Sequence, residues 1–197
     1  CGAENAKIGC PGEEEFTGAG VSYCATCDAA FFEGLPVYVV GGGDAAVEEA
    51  LYLTKFASEV TLIHRRDELR AARSIQEKAF ANPKLIFELS TVVDEIRGGE
   101  FMDTIVLKNL KDNTQKTVTG EFGLFVFVGF KPNSGLFEGL LEMDNGYIVT
   151  DENMQTSIPG VFAAGDIRRT PLRQAVTAVS AGDIAAVSAE KYIDKLR

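Results

Sequence analysis

The 197-residue sequence is poor in the residues that build metal sites and disulfide scaffolds. It has one histidine, His64, and four cysteines, Cys1, Cys10, Cys24 and Cys27, all within the first 27 positions. That is too sparse for a stapled secreted scaffold. A structural zinc site around Cys24 and Cys27 needs a second CxxC or an HxxxH pair, and neither exists; Cys1 and Cys10 stand at the wrong spacing for a zinc ribbon. No metal is expected. No run approaches the roughly 18 apolar residues of a membrane span, and no basic-then-apolar segment opens the chain. No membrane partner is expected. Lys and Arg number 19 against 29 Asp and Glu, a net charge of −10. Such a balance argues against nucleic acid as the main partner. What is present is apolar material, 46% of residues, with 24% charged. This composition supports a packed core and excludes disorder; the length allows one or two domains.

The chain reads in three stretches. Residues 1–20 are rich in Gly and Glu with a Pro11-Gly12 turn, and read as a linker. Residues 21–127 alternate strands and helices. Pro36–Val40 is a short β-branched run, as in a buried parallel strand. Asp44 to Thr54 follows as a helix, with Val47, Ala50, Leu51 and Thr54 on one face. Val60–Ile63 is a second buried strand, and Arg66 to Ala81 a second helix stopped near Asn82-Pro83. Leu85–Leu89, Thr104–Leu110 and Lys116–Thr119 form a β-meander, and Phe122–Phe130 a central strand. In residues 131–197, Gly146–Asp151 and Val161–Ala164 read as strands and Arg173–Leu196 as a long Ala-rich helix.

Gly41-Gly42-Gly43-Asp44-Ala45-Ala46 fits GxGxxA between a strand and a helix. Gly41 permits the tight turn, Gly43 lets the backbone approach a pyrophosphate, and Ala46 allows close helix–strand packing. The helix N-terminus adds unpaired N–H groups. The plain alternative is a glycine turn with no ligand. About 20 residues on, a NAD-binding unit carries an acid for the ribose. Here that place holds His64-Arg65-Arg66-Asp67-Glu68-Leu69-Arg70. Arginine forks match phosphate, which points to the 2′-phosphate of NADP. Arg70, one helical turn beyond Arg66, shares its face. The alternative is a solvated helix start paired to Asp67 and Glu68. His64 reads as a packing residue or a phosphate neighbour, not a catalytic base.

Cys24-Ala25-Thr26-Cys27 can form a small, labile disulfide that exchanges with another protein's disulfide. Asp28, adjacent and given partial burial, is the candidate proton donor. The alternative is two reduced core cysteines beside a turn. Nicotinamides transfer hydride while disulfides react as thiolates, and a flavin is the usual mediator. An NADP site with a CxxC therefore implies FAD or FMN.

Taken in order, these motifs resemble the low-molecular-weight, bacterial-type thioredoxin reductases over essentially the whole chain. Val21–Asp28 resembles their active-site stretch, Gly41–Leu51 their NADPH turn and helix, and His64–Arg70 their 2′-phosphate site. Val128-Gly129-Phe130 with Pro132-Asn133 is similar to their return into the FAD domain, Thr156–Asp166 to their second FAD motif, and Arg173-Gln174-Ala175 to the start of their flavin-contacting last helix. The fold implied is α/β: a Rossmann-like dinucleotide-binding domain with a β-meander insert, plus the C-terminal part of a second, FAD-binding α/β domain. Residues 1–15 would be a hinge at the end of an FAD segment, 16–127 the NADPH domain with the CxxC, and 128–197 the FAD-domain part.

The resemblance implies an NADPH-dependent flavoprotein disulfide reductase passing electrons from NADPH through FAD to Cys24–Cys27 and on to thioredoxin or a similar small dithiol protein. It implies a cytoplasmic protein, homodimeric at full length. Cys27 would face the flavin, Cys24 would attack thioredoxin, and Asp28 would donate the proton. NADPH would lie on Gly41, Gly43, Asp44, Ala45, Ala46, His64, Arg65, Arg66 and Arg70; FAD would lie on Gly129, Gly165, Asp166, Arg173, Gln174 and Ala175. Segments near 1–15 and 128–132 would be hinges for domain rotation. Ala29 stands where the family commonly has Gly, and Cys1 where Thr is usual. No glycine fingerprint precedes the CxxC, so the chain is expected to be an N-terminally truncated enzyme, inactive alone. Alternatives are the reductase of a peroxiredoxin system, a ferredoxin-dependent relative, and a non-catalytic NADP-binding or redox-sensing module.

Overall fold

The computed structural model describes residues 1–197. In chain order the elements are β1 (Ala3–Asn5), β2 (Val21–Ser22), α1 (Ala25–Asp28), β3 (Pro36–Val40), α2 (Asp44–Leu53), β4 (Glu59–His64), α3 (Arg73–Phe80), β5 (Leu85–Leu89), β6 (Thr91–Gly98), β7 (Met102–Asn109), β8 (Gln115–Thr119), β9 (Gly123–Val126), β10 (Phe130–Pro132), β11 (Met143–Asp144), β12 (Tyr147–Ile148) and α4 (Ala175–Asp194). They fall into two compact units. The larger is residues 6–129; the smaller joins 1–5 to 130–197.

The larger unit is built on a five-stranded sheet, β2-β9-β3-β4-β5, with every neighbouring pair parallel. Its strands are short and apolar on both faces because both are covered. Alternate side chains separate the two cores. Val37, Val39, Val60, Leu62 and Phe125 pack with Val47, Ala50 and Leu53 of α2. Val40, Ile63, Leu124 and Val126 point the other way, onto Ile105 and Leu107 of the antiparallel sheet β6-β7-β8. The result is three layers: helices, parallel sheet, antiparallel meander.

Several expectations change. Residues 1–20 are not a linker: Glu13 and Phe16 are buried, and Ile8 and Cys10 pack on the second core. Backbone bonds fasten this segment to the meander, Ile96 N to Pro11 O at 2.9 Å and Met102 N to Ala19 O at 2.8 Å. Residues 1–15, read as a hinge, thus divide between the units. The meander is β6-β7-β8, not one that includes Leu85–Leu89, which lies in the parallel sheet beside β4. Strand β6, absent from the sequence reading, is its first member. The strand expected over Phe122–Phe130 shortens to β9, between β2 and β3.

In the smaller unit β1 pairs antiparallel with β10, Ala3 opposite Pro132. β11 and β12 form a hairpin, so only Tyr147–Ile148 of the expected 146–151 strand is extended in a ladder. Val161–Ala164 is not a strand. It makes a single bridge, Gln155 to Phe162, and then enters a 3-10 turn at Gly165–Ile167. Ile148, Ala163 and Ile167 form a small core.

Candidate functional site

The parallel strands β2, β3 and β4 deliver their carboxyl ends to one sheet edge, and the candidate residues of the larger unit follow directly from them. β3 runs into Gly41. Its φ of 151° and its surroundings both demand glycine, since a Cβ would stand 2.5 Å from the Phe127 carbonyl oxygen and from Ala46 Cβ. A Cβ on Gly42 would overlap the His64 ring. Gly43 is the N-cap of α2, and the Arg70 guanidinium lies 4.0 Å from where a Gly43 Cβ would be. A cleft of about 340 Å³ opens here, lined by Val40, Gly41, Gly42, His64, Arg65 and Arg70 among others. It lies between β3 and β9, where the strand order reverses, the position at which open parallel sheets bind ligands.

The basic segment is not the start of a helix. Residues 65–72 are bends and irregular backbone, and α3 begins only at Arg73. The backbone N–H groups of Arg70 and Ala71 both donate to Gly42 O, at 2.7 and 3.1 Å. The next one, of Ala72, donates to Asp44 Oδ1 at 2.6 Å. Three donors spent on the glycine turn cannot serve a helix. Arg70 therefore reaches the cleft by a strap over the turn, not by sharing a helix face with Arg66. Asp44 is taken up in holding that strap; Ala45 is exposed and Ala46 buried against Gly41. Asp67 pairs with Lys111 at 3.3 Å. Arg65, Arg66 and Arg70 make no ion pair with Asp67 or Glu68. The three arginines are exposed to solvent, but the reading in which they pair with Asp67 and Glu68 fails. His64 is buried with Nε2 unpartnered in the protein. Burial first, then the charges of Arg70, Arg66 and Arg65, hold its imidazole below the ordinary value of 6.5. The cleft is also lined by Thr91, Val92 and Val93 of β6. Sequence reasoning missed them, although three β-branched residues in a row were a strand signal.

β2 leads to the redox pair. Cys24 and Cys27 form a disulfide across α1, Cα to Cα 5.3 Å. Cys24 is half-buried and Cys27 exposed. Asp28, half-buried, accepts a hydrogen bond from Ser22 Oγ at 2.7 Å. A second cleft of about 570 Å³ runs beside Ser22 and Asp28, lined also by Phe31, Phe32, Phe101 and Met102.

Gly129, φ 122°, closes the larger unit, and its carbonyl accepts from Ala6 N at 2.9 Å. The remaining candidates lie in the smaller unit. Gly165, φ 76°, opens the 3-10 turn that carries half-buried Asp166. The Arg173 guanidinium stacks on Tyr147 at 4.4 Å and on Phe130 at 5.4 Å, and its buried Nε has no protein partner. Gln174 is the N-cap of α4 and donates its N–H to Thr177 Oγ1 at 3.1 Å; exposed Ala175 starts the helix.

A family description, pyridine nucleotide-disulphide oxidoreductase, matches residues 1–182. The chain belongs to this family. Among members of the pyridine nucleotide-disulphide oxidoreductases, a thioredoxin reductase from Peptoclostridium litorale is 58% identical over 99% of this chain and 64% of its own length. One from Listeria innocua is 46% identical over 100% of this chain and 62% of its own. The crystal structure of thioredoxin reductase from Streptococcus pyogenes superposes with a TM-score of 0.92 at 47% identity, over 98% of this chain and 64% of that one. The chain thus spans under two thirds of the length of these relatives.

Proposed function

We propose that this chain carries the nucleotide-binding and dithiol parts of an NADPH-dependent thioredoxin reductase, together with part of its FAD site. One observation carries the reading. Arg65 and Arg70, neither ion-paired within the chain, line a glycine cleft, with Arg66 next to Arg65 in sequence, at the same sheet edge that presents a disulfide with an acid beside it. The residues present fit the nucleotide: the glycine turn has no room for a Cβ at Gly41 or Gly42, and buried His64 Nε2 has no partner in the protein. They fit a flavin nucleotide in part, through the unpartnered, stacked Arg173 beside Gln174 and Ala175 and through Gly165 and Asp166. When bound, the two groups supply hydride from the nicotinamide and, from the flavin, the electron pair that reduces a disulfide.

The chain's own residues do the rest. Arg65, Arg66 and Arg70 hold the 2′-phosphate, and Gly41 and Gly43 admit the pyrophosphate to the backbone. Once reduced, Cys24 attacks the disulfide of thioredoxin or a similar protein, Cys27 displaces the mixed disulfide, and Asp28 moves the proton.

The test is calorimetric titration of the 197-residue chain with 2′,5′-ADP and with 5′-AMP. Charge-assisted bonds to a phosphate are worth about 1.5–3 kcal/mol, roughly ten- to a hundredfold in affinity. 2′,5′-ADP should bind more tightly than 5′-AMP by that factor, and the Arg65→Ala/Arg66→Ala/Arg70→Ala triple variant should erase the difference. Equal affinity for both ligands in the parent chain overturns the reading.

A further inference from the structure

The hydroxyl of Ser22 joins the two ends of the redox turn. Ser22 ends β2, is almost fully buried, and lies two residues before Cys24. Its Oγ accepts the Cys24 backbone N–H at 3.1 Å and donates to Asp28 Oδ2 at 2.7 Å. The Cys24 carbonyl is a poorer acceptor for the same hydrogen, at 3.4 Å. One hydrogen therefore goes to the carboxyl, and one lone pair is occupied by the residue that opens the disulfide. A short side chain on a paired strand has little freedom to do otherwise. The strand pairing itself, Val21 with Leu124 and Ser22 with Phe125, fixes where the hydroxyl stands.

We infer that Ser22 is a positioning residue for the dithiol chemistry: it holds Asp28 by one carboxyl oxygen, so that the other carries the proton delivered to the leaving sulfur. In the exchange step a reductant thiolate forms an S–S bond to one sulfur of the pair, and the Cys24–Cys27 bond breaks. The released sulfur takes the proton from the Asp28 carboxyl. The reductant's second thiol then closes its own disulfide, and its proton passes to the other cysteine as that sulfur leaves. Two electrons enter the pair and the reductant is oxidised. This inference rests on the reading of Asp28 as proton donor.

The test uses the full chain and dithiothreitol, which needs no nucleotide or flavin. Reduction of Cys24–Cys27 is followed by acid quench, alkylation and mass spectrometry between pH 5.5 and 8.5. Attack by thiolate alone makes the logarithm of the rate rise with pH with a slope of about one. An internal acid flattens that slope, because proton delivery gains as thiolate is lost. The parent chain should show the flatter profile. Asp28→Asn and Ser22→Ala should each restore the steep one and slow exchange at the acid end by roughly tenfold or more. Ser22→Thr, which keeps a hydroxyl, should stay close to the parent. Ser22→Ala should add nothing in the Asp28→Asn background. Melting temperatures are measured alongside, and Ser22→Gly, which deletes the same hydroxyl, replaces the alanine variant if that one does not fold. A flat profile retained in Ser22→Ala while Asp28→Asn is steep overturns the role of Ser22 and leaves Asp28 standing. Asp28→Asn behaving as the parent overturns the donor reading, and the inference about Ser22 with it.

Discussion

His64 shows how one residue's surroundings set the sign of a response. Its ring fills the space a Gly42 side chain would need, and it faces the positive charges of Arg65, Arg66 and Arg70. Burial and those charges both oppose protonation in the folded state. The unfolded chain, with the ordinary value near 6.5, then binds more protons over the window just below it. Stability therefore rises with pH through that window and levels off above it. The chain has no other histidine, so one imidazole resonance reports the titration without assignment. Its midpoint should lie below 6.5, and His64→Gln should flatten the stability profile between pH 5.5 and 7. Saturation with 2′,5′-ADP should move the midpoint upward, because a phosphate dianion offsets the arginines. A midpoint at or above 6.5 in the free chain would sink this account.

At the scale of elements, segments without regular structure carry much of the site's organisation. Residues 6–16 are held by a buried carboxylate. Glu13 Oε1 accepts from Ile8 N at 3.0 Å and Tyr23 O–H at 2.9 Å, and Oε2 accepts from Gly9 N at 2.7 Å. Burial and the bond to Glu13 push the Tyr23 phenol up to about 12, so it stays a donor. Glu13→Gln keeps the shape but turns an N–H₂ toward one of these donors. The expected loss is about 1–3 kcal/mol, read as a lower urea midpoint with an unchanged slope; an unaltered midpoint would refute it. This carboxylate was not legible in the sequence. A Glu in a Gly- and Glu-rich stretch looks solvated, and only tertiary packing reveals three donors converging on it. The strap 65–72 was illegible in the sequence for a related reason. Its composition suits a helix, but its N–H groups go to Gly42 and Asp44, distant in sequence. What was legible was local. β3, α2 and β4 showed their apolar period, and the glycine turn and the CxxC showed their spacing. Val161–Ala164 failed as a strand because an apolar run suits a ladder but does not supply a partner.

At the scale of the whole molecule the apolar material is unevenly divided. The larger unit holds two extensive cores, one on each face of its parallel sheet. The smaller has one modest cluster around Ile148, Ala163 and Ile167. Along α4, Val176, Val179, Val187 and Ile193 stand exposed, and Ala181 is the helix's one buried residue. A helix takes most of its stability in a protein from burying an apolar face, not from its backbone propensity. Here that contribution is small for twenty residues. Opening α4 therefore costs less than opening β3 or β4, where Val37, Val39, Val40, Val60, Leu62 and Ile63 are all buried. Hydrogen exchange should show α4 amides exchanging at least roughly tenfold faster than those of β3 and β4. Urea should melt the α4 helical signal before the disulfide-bearing unit, as two separate transitions. A dye that fluoresces on apolar surface should bind before either one. Uniform protection of both units, lost in a single transition, would show that α4 draws its stability from contacts this chain does not display.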